Sequence, residues 1–164
     1  MSFRRAAARR WRALKKRIFH RLIDLWPPYL GSGIRVRRLD LAGGVVEVEM
    51  KLRWWNRNYV GTHYGGSLYS MCDPFYMLIL LEQLGGRFVV WDKSASIRFR
   101  KPGRGTVRAR FEIAKGEIDE IRTAAMRDGK AEPRFVAKVV DADGQVIAEV
   151  EKRVHVKYEK KRKR

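Results

Sequence analysis

Asp73 is the carboxylate whose setting in the sequence most suggests chemistry. It is the only acidic residue between Glu49 and Glu82, and most of its neighbours are apolar. A carboxylate held among apolar residues can act as a general base or as a nucleophile. The dipeptide Asp73-Pro74 is also typical of a helix start, with the aspartate as N-cap and the proline at the first helical position. The residues alone leave both interpretations open.

A glycine pair, Gly65-Gly66, precedes Asp73. At the start of a helix such glycines leave backbone N–H groups accessible, and these groups favour negative charge, including the oxyanion of an acyl-transfer intermediate. On a continuous helix Gly65 and Asp73 lie roughly 12 Å apart, at ~1.5 Å per residue. One reacting carbonyl cannot touch both. A site that uses both groups therefore predicts a homodimer with shared sites.

The element that must position these groups is a helix predicted over residues 67–84, where apolar residues leave almost no polar face. A second, short helix is predicted over residues 117–126 and closes near Gly129. Strands are predicted over residues 34–39, 46–52, 89–99, 107–113, 135–140 and 146–156. Because short turns join neighbouring strands, we expect an antiparallel sheet with the central helix against one face, an α+β fold.

One predicted strand carries a charge on its apolar side. The apolar residues of that side are Val89, Trp91, Ala95, Ile97 and Phe99. Lys93 interrupts this series, which predicts a bulge or a functional pocket. Asp92 is expected to line the pocket together with Lys93 or to form an ion pair with it.

The two ends of the chain carry most of its net charge of +19. Residues 1–23 contain nine Lys or Arg and no acid, and residues 157–164 contain six Lys or Arg. Apolar residues recur every three or four positions over residues 3–26, which predicts an amphipathic helix that Pro27-Pro28 ends, followed by a turn at residues 31–33. This helix either lies on an anionic membrane surface or docks on its own domain. We predict a basic helix over 1–30, one domain over 31–157 and a basic tail over 158–164.

Several function classes find no support in the composition. Cys72 is the single cysteine, so no intrachain disulfide can form, and no cluster of zinc ligands is present. We expect no metal. The sequence contains neither an apolar run long enough to span a membrane nor a secretory signal, so the expected location is the cytoplasm.

The spacing of residues 58–73 resembles a known signature. The run from Asn58 through Gly61-Thr62 and Gly65-Gly66 to Asp73 is similar to the pattern Asn-x-x-Gly-Thr-x-His-Gly-Gly-(x)6-Asp of hotdog-fold acyl-CoA thioesterases of the phenylacetate-pathway type. Tyr64 occupies the place of the family's histidine, and His63 lies one residue earlier. Segments outside the signature resemble a largely uncharacterised branch of the same superfamily, namely residues 25–28, 91–93, 98–99 and 102–105.

The resemblance implies a curved antiparallel sheet wrapped around a long central helix, assembled as homodimers and often homotetramers. It implies that Asp73 activates water or attacks the thioester, that the Gly65 N–H binds the oxyanion, and that Asn58 orients water or the carboxylate. The expected substrate-binding residues are Gly66, Tyr64, His63, Asp92, Lys93, Arg98 and Arg104. No cofactor is expected beyond coenzyme A as part of the substrate.

Three functions remain open at this stage. The first is hydrolysis of an acyl-CoA. The second is non-catalytic binding of acyl chains or acyl-CoA, which the displaced histidine and the Asp-Pro cap favour. The third is binding of nucleic acid or an anionic membrane through the basic ends, which can coexist with either of the others. The basic residues near Arg98 and Arg104 suit coenzyme A phosphates or a solvated strand end equally well.

Overall fold

The computed structural model describes residues 22–159. Most of the predicted amphipathic helix over residues 3–26, and residues 160–164 of the predicted basic tail, lie outside the described residues. The described part begins with a 3-10 turn, Ile23–Leu25, followed by a short helix α1, Pro27–Ser32. The two prolines begin this helix, because proline at the first helical positions sacrifices no intrahelical hydrogen bond. The predicted helix end at Pro27-Pro28 is confirmed where the structure describes it, because the 3-10 turn stops at Leu25 and the backbone of Trp26 is extended. The prolines begin a new helix that was not predicted, so the predicted turn over 31–33 is reduced to Gly33, whose φ is 71°.

Seven strands form one antiparallel sheet. The strands are β1 (Ile34–Asp40), β2 (Val45–Lys51), β3 (Phe88–Phe99), β4 (Thr106–Glu112), β5 (Lys130–Ala131), β6 (Arg134–Val140) and β7 (Val146–Tyr158). Their order is β1-β2-β4-β6-β7-β3, and the two-residue β5 pairs with β7. The six longer strands confirm the predicted ones, whereas β5 has no counterpart among them because it is too short to show a period. Strand β3 forms one edge of the sheet.

The central helical segment is divided into two helices. Helix α2 spans Gly65–Ser70 and helix α3 spans Phe75–Leu84. The break falls before Pro74, which has no N–H to donate and disfavours helical geometry in the residue that precedes it. Helix α2 ends in tight turns in which the N–H of Cys72 donates to Tyr69 O at 2.8 Å. The segment predicted as one helix over residues 67–84 is therefore helical on both sides of a non-helical turn.

Helix α3 packs against the sheet through aromatic side chains. Phe75 and Phe111 have ring centroids 4.9 Å apart, and Tyr76 stacks on Phe135 at 4.6 Å. The Tyr76 hydroxyl donates to the Val136 carbonyl at 3.0 Å, so the one polar atom of this ring is satisfied. These contacts fix α3 on one face of the sheet. They thereby also hold the start of the helix, where Pro74 is preceded by Asp73.

The second predicted helix is confirmed as α4, Lys115–Asp128. It buries Ile118, Ile121 and Ala125 and ends at Gly129, whose φ of 78° is the left-handed conformation that suits glycine at a helix end. Helices and sheet together confirm the α+β class. No helix in the range 22–159 is long and apolar enough to cross a membrane.

Candidate active site

Asp73 lies in the turn between α2 and α3, and its carboxylate does not cap α3. The N-cap position is held by Pro74, and no side-chain hydrogen bond caps this helix. The carboxylate Oδ1 instead accepts a hydrogen bond from Lys152 Nζ at 2.9 Å. The side chain of Asp73 remains 43% exposed. Of the two interpretations that the sequence left open, the helix cap is thereby wrong.

Lys152 is completely buried, and its ammonium joins two aspartates. Nζ lies 2.9 Å from Asp73 Oδ1, 2.7 Å from Asp92 Oδ2 and 2.5 Å from the backbone carbonyl of Asp73. The ammonium also lies 5.4 Å from the ring centroid of Tyr69, within the range of a cation–π interaction. A buried cation is tolerated when it is paired and hydrogen-bonded in this way. Lys152 and Tyr69 were not among the predicted site residues.

A bulge in β3 brings Asp92 to this ammonium. The pairing of β3 with β7 shifts register between Asp92 and Ser94, which leaves Lys93 as the extra residue and confirms the predicted bulge. Before the bulge, Asp92 pairs with Val154 and shares its inward face; after it, Ala95 pairs with Lys152. An extra residue reverses the alternation of side chains along a strand. The apolar series predicted for one side of β3 is consequently wrong in its first half, where Val89 and Trp91 face outward.

Asp92 and Lys93 do not pair with each other. Asp92 pairs with Lys152, whereas Lys93 Nζ lies 2.7 Å from Glu132 on the outer side of the sheet. Glu132 also contacts Arg153, and His155 Nδ1 at 3.2 Å. The predicted ion pair between Asp92 and Lys93 is therefore wrong, because successive side chains along a strand point to opposite faces of the sheet.

The protonation states around Asp73 follow from burial and pairing. Burial raises the pKa of the Asp92 carboxyl, against the opposing effect of Lys152. Burial acts to lower the pKa of Lys152, but its bonds to Asp92 and Asp73 outweigh burial and raise this pKa overall. Burial also raises the pKa of Tyr69, and it raises the pKa of Cys72 to about 12. Lys152 is thus a stable ammonium, and the neutral Cys72 thiol is a core residue rather than a nucleophile.

A separate cavity of about 630 Å³ collects most of the remaining predicted residues. It is lined by Asn58, Val60, Thr62, His63, Gly65, Leu68, Phe99, Arg100, Lys101, Pro102, Gly103 and Arg104. Gly65 is the first residue of α2, and the helical ladder starts with the N–H groups of Ser67 and Leu68, which both donate to Tyr64 O. The N–H of Gly65 therefore precedes the ladder. Asp73 is not among the residues that line this cavity.

Both glycines of the pair are covered by aromatic rings. A Cβ on Gly65 would lie 2.8 Å from the ring of Phe99, and a Cβ on Gly66 would lie 2.5 Å from the ring of Tyr64. Glycine at these positions lets the rings approach the backbone. Tyr64 is largely exposed and is the N-cap residue of α2.

The loop over residues 58–63 is held by Asn58. Its side-chain oxygen accepts from the N–H of Thr62 at 2.9 Å, and its amide donates to Thr62 Oγ1 at 2.9 Å and to the carbonyl of His63 at 3.4 Å. His63 is buried, and its Nε2 lies 3.1 Å from the carbonyl of Gly105. Because a carbonyl only accepts, Nε2 carries the proton, and burial lowers the pKa of His63. The loop is thereby tied to the turn at residues 102–105.

Basic residues stand at the rim of the cavity. Arg100 binds Glu149 through Nη2 at 2.6 Å, and Lys101 bonds to Gln145. Arg104 lines the cavity, whereas Arg98 is exposed on β3 opposite Glu149 and is not among the lining residues. The structure therefore brings Asn58, His63, Gly65 and Arg104 together in one cavity and Asp73 with Asp92 in a second cluster, while Lys93 belongs to neither.

One signal in the sequence could have revealed Lys152. In β7, residues Val150, Val154 and Val156 alternate toward the core, and position 152 has the same parity. A lysine at an inward position of a buried strand requires a carboxylate partner. Which carboxylate lies beside Lys152 depends on the register between β3 and β7. The bulge shifts that register, so the alternation of residues along the sequence did not reveal the partner.

Residues 15–156 match the family described as "Domain of unknown function (DUF4442)". The chain belongs to this family. No curated protein matches the sequence.

Solved structures similar to this chain include proteins named as thioesterases. A Pseudomonas aeruginosa protein of unknown function, described as a probable thioesterase, is 25% identical with a TM-score of 0.78, over 87% of this chain and 95% of its own. A thioesterase from Haemophilus influenzae is 11% identical with a TM-score of 0.62, over 87% and 90%. The PaaI protein of Escherichia coli, from the phenylacetic acid degradation operon, is 17% identical with a TM-score of 0.58, over 83% and 88%. The predicted hotdog fold and the resemblance to its thioesterases are confirmed.

Proposed function

We propose that this protein hydrolyses the thioester of an acyl-CoA, with Asp73 as the reacting carboxylate. The observation that carries the proposal is the placement of Asp73, which is released from helix capping, anchored by a buried ammonium and still partly exposed. The thioesterase names among the structural neighbours support the same reaction class.

As a general base, Asp73 takes a proton from water while the water oxygen bonds to the thioester carbonyl carbon. The negative charge that develops on the carbonyl oxygen is stabilised by the N–H of Gly65. The C–S bond then breaks, Asp73 passes its proton to the leaving sulfur, and coenzyme A and the carboxylic acid are released. As a nucleophile, Asp73 attacks the same carbon and the C–S bond breaks, which expels the coenzyme A thiolate and leaves a mixed anhydride. Water then hydrolyses this anhydride to the carboxylic acid and the free Asp73 carboxylate. Incorporation of ¹⁸O from labelled water into Asp73 distinguishes the second route.

The substrate is proposed to enter through the 630 Å³ cavity. Arg104, which lines the cavity, suits the phosphates of coenzyme A, since guanidinium groups bind phosphate oxygens with two hydrogen bonds, whereas Arg98 is not among the lining residues. His63, Asn58 and Tyr64 shape the loop that borders this entrance, and Gly66 follows the oxyanion donor along α2. Asp92 belongs to the cluster around Lys152 rather than to this cavity. Lys93 pairs with Glu132, so we propose no substrate contact for that lysine.

Within one chain Gly65 lines the cavity, whereas Asp73 lies in the cluster around Lys152. This separation supports a site completed by a second copy. One protomer then supplies the Gly65 N–H and its partner supplies Asp73. Strand β3 is twelve residues long and lies at the edge of the described sheet, so the backbone groups on the side away from β7 are available to such a partner. Mixing an inactive Asp73→Asn variant with an inactive Gly65→Pro variant, which lacks the N–H but suits the first helical position, should restore activity in the mixed dimer.

The deciding experiment measures free-thiol release from short, long and aromatic acyl-CoAs. We expect turnover by the wild type and a loss of at least about 100-fold in Asp73→Asn, since that change removes the base or nucleophile while keeping the shape. Glu151→Gln is the matched control, because Glu151 is a partly exposed residue of β7 whose side chain pairs with Arg134, outside the proposed site. Absence of turnover with every substrate would contradict the proposal and favour a non-catalytic acyl-CoA binder, which equilibrium binding then tests.

We propose a second, additional role at the N-terminal end. Leu22, Leu25, Trp26 and Leu30 are exposed apolar residues that follow directly on the basic residues 1–21. Apolar side chains next to a run of cations suit an anionic membrane surface. Co-sedimentation with anionic but not zwitterionic vesicles, lost when residues 1–21 are removed, tests this role; retention on nucleic acid instead would reassign the partner.

A further inference from the structure

The ammonium of Lys152 has no free donor. An ammonium carries three N–H bonds, and Lys152 directs its three toward the Asp73 carbonyl at 2.5 Å, Asp73 Oδ1 at 2.9 Å and Asp92 Oδ2 at 2.7 Å. A group with every proton engaged, and with no exposure to solvent, neither attacks a substrate nor delivers a proton to one. Its chemistry is confined to holding its partners.

Two of the three bonds go to a single residue. By binding both the carbonyl and the carboxylate of Asp73, the ammonium closes a ring that includes the backbone and the side chain of that residue. Such a ring restricts the side-chain torsions of Asp73. It does so in the turn between α2 and α3, where the backbone is held by tight turn bonds from the N–H of Cys72 to Tyr69 O at 2.8 Å and from the N–H of Asp73 to Ser70 O at 3.3 Å.

The third bond ties the ammonium to the sheet. Asp92 lies on β3 at the bulge, and one of its oxygens, Oδ1, is buried without a hydrogen-bond partner among the described residues. A buried carboxylate with an unsatisfied oxygen is destabilising by itself. An apolar residue at position 92 would avoid that penalty but would leave Lys152 free to move away from Asp73.

We propose that Lys152 and Asp92 are positioning residues that hold the Asp73 carboxylate in its reactive orientation. This inference rests on the proposed thioesterase function and adds two residues that the signature of residues 58–73 does not contain. Asp92 fixes the ammonium to the sheet, and Lys152 fixes Asp73 to the ammonium. The role is mechanical: catalysis requires the reacting atoms to lie within a narrow range of positions, and misplacement by about 1 Å can reduce the rate about 100-fold.

The test separates positioning from stability with three variants. Lys152→Met keeps an unbranched apolar stem that lacks the terminal ammonium, which leaves Asp92 without its cation. Its melting temperature should fall by several degrees. The double variant Lys152→Met/Asp92→Asn removes both charges and should recover most of that melting temperature, because the pair is then neutral. Asp92→Asn alone keeps the bond between Lys152 and Asp73.

The kinetic pattern is the deciding readout. We expect kcat to fall at least tenfold in Lys152→Met and to stay low in the double variant, with KM within about twofold of wild type, because the substrate cavity is untouched. Asp92→Asn should show an intermediate kcat, since the ammonium loses only its anchor. Recovery of kcat together with melting temperature in the double variant would overturn the inference and leave the network a stabilising one.

The failure of the inference differs from the failure of the function. If wild type hydrolyses acyl-CoA, Asp73→Asn does not, and the double variant is as active as wild type, the function stands and the positioning role is wrong. If wild type hydrolyses no acyl-CoA, the function fails and the positioning role falls with it. Lys152→Arg provides an additional check, since it keeps the positive charge but changes the geometry of the donors. Its melting temperature should therefore stay closer to that of wild type than its kcat does.

Discussion

Replacing Gly65 by alanine probes the contact between the glycine pair and the candidate cavity. The new Cβ would lie 2.8 Å from Cζ and 3.1 Å from Cε1 of Phe99. Carbon atoms in contact normally lie about 3.5–4.0 Å apart, so the ring must move by roughly 1 Å. Phe99 is 56% exposed and can turn aside. We therefore expect the overpacking to cost about 1 kcal/mol, at the low end of the range for core positions.

Alanine also restricts the unfolded chain, which adds about 0.4–1 kcal/mol to the free energy of unfolding. The two effects nearly cancel, so urea denaturation of Gly65→Ala should give a stability within about 1 kcal/mol of wild type. The displaced ring narrows the cavity that both residues line. Acyl-CoA hydrolysis should consequently lose kcat/KM through a higher KM, while the backbone N–H of residue 65 is retained.

A double-mutant cycle identifies the contact. In a Phe99→Ala background the clash is absent, and Gly65→Ala should stabilise the protein, giving a coupling energy of about 1 kcal/mol between the two positions. Gly116→Ala is the matched control, because a Cβ there meets no atom within 4 Å and the residue lies in the exposed first turn of α4. It should stabilise both backgrounds equally. An identical effect of Gly65→Ala in both backgrounds would refute the reasoning.

Two further changes test the electrostatics of buried polar groups. Tyr29 is completely buried, and its hydroxyl has no hydrogen-bond partner among the described residues. Tyr29→Phe should therefore stabilise the protein by about 1 kcal/mol and raise Tm by about 2–4 °C. A lower Tm would contradict this. Lys93 and His155 lower the pKa of Glu132 from 4.5 to about 2. Its stabilisation is complete above pH 4.5 and is lost as the pH falls toward 2, so Glu132→Gln should lower stability at neutral pH and flatten its pH dependence in that window. Parallel curves for wild type and variant would contradict the assignment.

Periodicity along the chain was sufficient to predict most of the fold. Strand β2 buries Val46, Val48 and Met50 in strict alternation, and β4 does the same with Val107, Ala109 and Phe111. A pattern of this kind depends only on which face of a strand is buried, so it is visible without knowledge of the partner strand. The end of α4 at Gly129 was likewise a local property, because left-handed geometry favours glycine.

Two errors had different causes, one non-local and one in the local backbone. The bulge at Lys93 was predicted, but its consequence for the alternation of Val89 and Trp91 required the register with β7. Pro74 interrupted the central helix, which hydrophobicity alone could not reveal because apolar residues continue on both sides of the break and both α2 and α3 contain buried ones. The pattern of apolar residues indicates which residues are buried. Whether a helix continues depends instead on the hydrogen bonds that the backbone can form, and a proline removes one of them.

The sequence by itself determined the α+β fold and the spacing that relates Asn58, Gly65 and Asp73. Only the tertiary structure decided what Asp73 does within that spacing, because its partner Lys152 lies 79 residues away on another element. Burial of Lys152 required carboxylates at hydrogen-bonding distance. The bulge in β3 places Asp92 beside the ammonium of Lys152, and the break before Pro74 places Asp73 there. Neither contact can be read from a local stretch of the sequence.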